Sequence, residues 1–141
     1  MWEEKSMITK VTHISLLVRD QQEALTWYTE KLGFVKRADD PFPEGEGRWV
    51  SIAPQGQQEM EIVLEPPEWG LGDPEKKLQM VGKMPGWVLH TDDCRRDYEQ
   101  FKSRGVNFLS PPEELPWGIS AVFEDLYGTQ HNLLEPLPFE T

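Results

Sequence analysis

The stretch HISLLVRDQQEALTWYTEKLGF, residues 13–34, returns later in the chain as GWVLHTDDCRRDYEQFKSRGVNF, which begins at Gly86, an offset of 73 residues. In this alignment Asp20 faces Asp93 and Tyr28 faces Phe101; with one residue deleted, Gly33 matches Gly105. An internal repeat of this size organises everything around it. Ile14, Leu16 and Val18 alternate with His13, Ser15 and Leu17, the period of two of a strand with one face on a core. Asp20 and Asp93 stand where each helix begins, and a carboxylate there accepts from the free N–H groups of the first turn. Ala24, Trp27, Tyr28 and Leu32 recur at helical spacing. Gly33 and Gly105 follow the last turn, where a left-handed residue commonly closes a helix.

Outward from this repeat, each half carries more strand material. RWVSIAP from Arg48 and EMEIVLEPP from Glu59 flank the turn PQGQQ; ISAVFED and QHNLLEP flank LYGT; both halves end in Leu-Glu-Pro. Each half is therefore a βα pair followed by about three strands, with modules at about 8–66 and 85–138. Between them, residues 67–84 are rich in Pro, Gly and charge and read as a linker or mobile loop without an element of its own. A half of this size buries too little sheet alone, so the two must pair into one domain spanning 1–141. The fold class expected is α+β.

The 141 residues carry 14 Lys+Arg against 25 Asp+Glu, a net charge of −11, which disfavours nucleic acid and anionic membrane as partners. Hydrophobic residues at 38%, with six Trp, suffice for a core and argue against global disorder. One cysteine, Cys94, excludes an intrachain disulfide and a Cys-rich zinc module. It stands at a helix start beside Asp92 and Asp93, which oppose a thiolate, so a buried, inert thiol is expected. Apolar runs are far short of the roughly 20 residues a membrane span needs. The opening MWEEKSM has no apolar stretch, so no secretory leader is expected, and Met7 is a second candidate start. A cytoplasmic protein is the expectation. Neither a P-loop, a dinucleotide-binding glycine pattern nor a GxSxG elbow occurs.

A βαβββ unit used twice resembles the vicinal-oxygen-chelate superfamily, which includes glyoxalase I, extradiol dioxygenases and bleomycin-resistance proteins. The resemblance rests on THISLLVRD leading to WYTEKLGF, on RWVSIAP and EIVLEPP, and on FEDLYGTQHNLLEP in the second half, and runs from about Ile8 to Pro136. It implies two modules forming a cupped mixed sheet with helices outside, commonly paired as a homodimer. It also implies four inward ligands, from the first and last strand of each module, holding a divalent metal that acts as a Lewis acid on a substrate with two neighbouring oxygens.

Carried onto this chain, the resemblance puts the metal ligands at His13, Glu61 and Asn132, with Glu61 also the catalytic residue, and the ion as Zn, Ni, Mn or Fe. The fourth position falls on Gly86, which offers no ligand. His90 shares the face of Gly86 but lies roughly 13 Å along the strand, too far to replace it and placed to line a cavity. Trp49 and Trp117 join it as cavity residues, with Trp69 placed to cover the mouth. Each has a plainer alternative: His13 as a strand histidine, Glu61 as a solvated carboxylate, Asn132 as a hydrogen-bonding strand residue, the tryptophans as core or interface. His131 should face the helices, buried with a partner. Two functions follow for a small-molecule ligand. One is a metal-dependent lyase, isomerase or dioxygenase. The other is a metal-free binding protein of the bleomycin-resistance type that sequesters an aromatic or cationic molecule.

Overall fold

The computed structural model describes residues 7–138; the extension before Met7 lies outside them. The first half runs β1 (His13–Leu17), α1 (Gln21–Leu32), β2 (Val35–Pro41), β3 (Arg48–Ala53) and β4 (Glu61–Glu65). The second runs β5 (Val88–His90), α3 (Cys94–Ser103), β6 (Asn107–Phe108), β7 (Glu113–Leu115), β8 (Gly118–Glu124) and β9 (Gln130–Pro136). The caps are those the repeat predicts. Asp20 accepts from the Glu23 N–H, Asp93 accepts from the Arg96 N–H, and Gly33 closes α1 in the left-handed region at φ 74°.

The strand orders are β1-β4-β3-β2 and β5-β9-β8-β6, with β7 also on β8. In each half the first and last strands run parallel and the remaining pairs antiparallel. This confirms an α+β fold of two βαβββ units with mixed, open sheets. Strand two of the second half is broken: β6 and β7 both pair with β8, interrupted where Pro111 and Pro112 supply no N–H for the ladder. The segment between the halves also differs from the expectation of no element, because it holds a short helix, α2 (Pro74–Met80). Asp73 caps it and Pro74 occupies its first turn, yet it buries no residue, so no apolar periodicity announced it.

The helix-facing sides form the core. Leu16, Val18, Val50, Ile52, Ile62 and Leu64 pack with Ala24, Leu25 and Tyr28 of α1; Ala121, Phe123 and Leu133 pack with Cys94 of α3 and with Val106. Each fully buried aliphatic side chain is worth roughly 1.5–3 kcal/mol. Trp27 and Leu32 touch both clusters, so α1 is wedged between the halves. Lys31 and Arg104 tie the helix ends reciprocally, each side chain donating to the other's carbonyl (2.7 and 3.1 Å). The helices thus join the halves, and the opposite face of each sheet is left open. Among the described residues no hydrogen-bonded ladder links the two sheets, and β1 and β5 are both edge strands. Among the described residues no helix is long and apolar enough to cross a membrane.

Candidate functional site

The first sheet gathers three of the predicted residues on its open face. Parallel pairing of β1 with β4 sets His13 opposite Glu61, with Nε2 4.0 Å from Oε1. Ser51, on the same face of β3, donates its hydroxyl to Glu61 Oε1 (2.5 Å). The guanidinium of Arg37 lies 3.8 Å from Oε2 and is held there by a donation to the Gln57 carbonyl (2.7 Å). Trp49 packs edge-on to His13, ring centroids 5.8 Å apart, and Trp69 stacks on Trp49 at 6.1 Å and 10°. Phe42 closes the row against Trp69 at 5.6 Å. Three loops and strands therefore build one aromatic shelf beside a compensated carboxylate. Trp69 was placed at the mouth by sequence; Arg37, Ser51 and Phe42 were not singled out. Alternation along β3 was the available signal for Ser51, since it stands two residues from Trp49.

The second half does not repeat this pair. Asn132 lies opposite Val88, two residues beyond Gly86, is exposed, and accepts from the Ser120 hydroxyl (3.2 Å). His90, two further along β5, lines a crevice of about 830 Å³ between the halves, together with Phe34, Gln57, Arg96 and Arg104. Trp117 is 53% exposed at the start of β8. Within one chain the structure joins His13, Glu61 and Trp49 at one place and leaves Asn132, His90 and Trp117 on the second half.

The donor set fits a divalent metal poorly. A Cβ at Gly86 would stand 2.0 Å from the Gln130 carbonyl oxygen and 2.4 Å from His131 Nδ1, so β9 approaches too closely for any ligand side chain there. Glu61 already accepts from Ser51 and faces the Arg37 cation, which would repel a dication. Asn132 adds only an amide oxygen. Two good donors fall below the three that a catalytic ion normally takes from protein.

A second buried polar cluster lies elsewhere. His131 is fully buried and turned toward the helices. The Trp87 N–H donates to its Nδ1 (3.1 Å), which places the neutral ring's proton on Nε2. That N–H donates to the Tyr28 hydroxyl oxygen (2.7 Å), and the phenol donates to Asp125 (2.6 Å). Asp125 Oδ1 accepts two backbone N–H groups, from Tyr127 and Thr129. Burial pulls the His131 pKa down to about 4, against which nearby Asp125 works, and burial with the Asp125 charge pushes Tyr28 well above the ordinary phenol range. The network joins α1 to the second half and is closed to solvent, so it serves assembly of the halves. Cys94 is buried with its thiol pKa raised by burial.

Comparison with known proteins agrees with this architecture. A family model, Glyoxalase/Bleomycin resistance protein/Dioxygenase superfamily, matches residues 10–135. An uncharacterized protein of Shewanella frigidimarina is 35% identical over 133 residues, 92% of this chain and 95% of that one. The crystal structure of UcmS2 is 34% identical with a TM-score of 0.82, covering 92% of this chain and 99% of that chain. TnmS3, an antibiotic binding protein from Streptomyces sp. CB03234, is 33% identical with a TM-score of 0.77, covering 94% of this chain and all of its own.

Proposed function

This chain belongs to the glyoxalase/bleomycin resistance protein/dioxygenase superfamily, and we propose that within it the protein binds a small aromatic molecule without a metal. The observation that carries this reading is Gly86: the fourth ligand position is occupied by the backbone of β9. Arg37 supplies beside Glu61 the positive charge that an ion would otherwise provide. What remains on the open face is an aromatic shelf with a few polar groups at one end, the usual make-up of a site for a small organic ligand. Trp49 offers a stacking surface, and His13 with Glu61 offers a donor and an acceptor to a hydroxyl or amine on the ligand. The likeness to TnmS3 supports an antibiotic or similar molecule as the ligand class.

The working form in this reading is a homodimer. One chain leaves edge strands at both ends of each sheet, β1 and β5 among them, and two open faces, with Val11, Val88, Leu109 and Trp117 exposed. Pairing β1 of one copy along β5 of the other covers these two edges and sets the face of His13 and Trp49 opposite the face of Asn132. The site then draws on both copies.

A second reading retains a metal, because His13 and Glu61 stand opposite each other as two family ligands would. The experiment that separates the two is tryptophan quenching by a panel of aromatic antibiotics, with and without EDTA. Metal-free binding predicts quenching that EDTA leaves unchanged and that Trp49→Ala removes. Quenching abolished by EDTA would overturn it.

A further inference from the structure

The linker helix α2 buries none of its residues, yet it is tied to the aromatic shelf through a single side chain. Lys77 is its least exposed residue, at 21% for the side chain, and it points back into the loop that carries Trp69. Its ammonium donates to the Trp69 carbonyl and to the Leu71 carbonyl (3.4 Å), and the Glu65 carboxylate at the end of β4 lies 4.0 Å away. Three oxygens thus face the three N–H donors of one ammonium. The loop is shaped around this side chain. Gly70 and Gly72 adopt φ values of 71° and 105°, and a Cβ on either would lie against Lys77, at 3.8 and 3.6 Å. The ring of Trp69, fixed by its own backbone in this way, lies parallel to Trp49, which in turn packs on His13.

We propose that Lys77 is the positioning residue that holds Trp69 in its stack on Trp49, so that α2 sets the shape of the surface the ligand meets. This rests on the reading of that face as a ligand site. An isolated helix of seven residues is not stable by itself in water, so α2 is held by contacts with the rest of the chain, Lys77 among them. Loss of the ammonium releases Trp69 and widens the shelf, whereas the sheets and their core are untouched.

The first test needs no ligand. Two stacked indoles whose transition moments are twisted about the stacking axis give an exciton couplet in circular dichroism, isolated here as the difference between the wild type and Trp69→Phe. Lys77→Met should lose most of this couplet while the melting temperature stays within a few degrees; Lys77→Arg should keep more of it, and Glu65→Gln should reduce it less. Proflavine, a planar aromatic cation, then serves as the binding probe, and Lys77→Met should weaken its binding about fivefold, the worth of one aromatic stack. A couplet unchanged in Lys77→Met or, if the wild type shows none, acrylamide quenching of tryptophan fluorescence unchanged in Lys77→Met, would overturn the proposal. A couplet lost in Lys77→Met, with no proflavine binding by the wild type, supports the role of Lys77 and counts against the ligand class instead.

Discussion

The two halves start from one pattern and spend it differently. Where the first has His13 facing Glu61, the second has Gly86 pressed against β9; where the first has Tyr28, the second has Phe101. Tyr28 reaches across to Asp125 and His131, while Phe101 packs inside its own half's cluster. The difference teaches that the second half has close backbone packing at the place where the first half presents a side chain. The first half keeps a polar pair and surrounds it with aromatic side chains. The His13–Glu61 pair belongs to the first repeat alone, whereas the buried network draws on both.

The most severe way to test this contrast is to place a ligating side chain at Gly86. Gly86→His should not create a metal site but should cost several kcal/mol or prevent folding, because its Cβ meets backbone oxygen, which cannot swing away. Denaturant unfolding of the variant checks this; a folded Gly86→His that binds nickel would refute it.

The next effect is acid lability. The folded chain holds His131 neutral down to about pH 4, whereas an unfolded histidine titrates near 6.5. Between these values the unfolded state binds the extra proton, so the stabilisation is complete above 6.5 and is lost as pH falls through the window. The total is on the order of 3 kcal/mol. Protonated His131 would also turn an N–H toward the Trp87 N–H, which now donates to it. NMR titration of the ring checks the value, and a midpoint near 6.5 would contradict it.

Tyr28→Phe makes the halves alike at this position and strips the partner from a buried carboxylate and a buried imidazole. The expected loss is about 2 kcal/mol, read from urea unfolding. The smallest effect belongs to the surface. Arg95 and Glu114 pair at 3.4 Å with both side chains exposed, so Arg95→Ala should change stability by less than about 0.5 kcal/mol.

These contrasts also mark how far the sequence could be read. The repeat, the Asp20 and Asp93 caps and the glycine closures were legible because each rests on local chemistry within one turn or one strand. His13 and Glu61 were singled out together by the family resemblance, and alternation put both on the open side of their strands, where the structure sets them opposite each other. Arg37 beside Glu61 was not, because a bulge between Lys36 and Ala38 shifts β2 out of simple alternation. The Tyr28–His131–Asp125 network joins residues about a hundred positions apart, which no periodicity records. Gly86 read as a missing ligand; that it is a packing requirement depends on the position of the Gln130 carbonyl. Helix α2 was silent because it has no buried face.

The central claim, that the retained His13–Glu61 pair works without a metal, is tested most directly by metal content. Untagged protein is incubated with zinc, nickel, manganese and iron(II), each in turn, dialysed and subjected to elemental analysis. The account predicts no stoichiometric ion in the wild type and no difference from His13→Ala or Glu61→Ala. A stoichiometric ion per chain, lost in either variant, would contradict it and return the protein to the metal-dependent branch of its family.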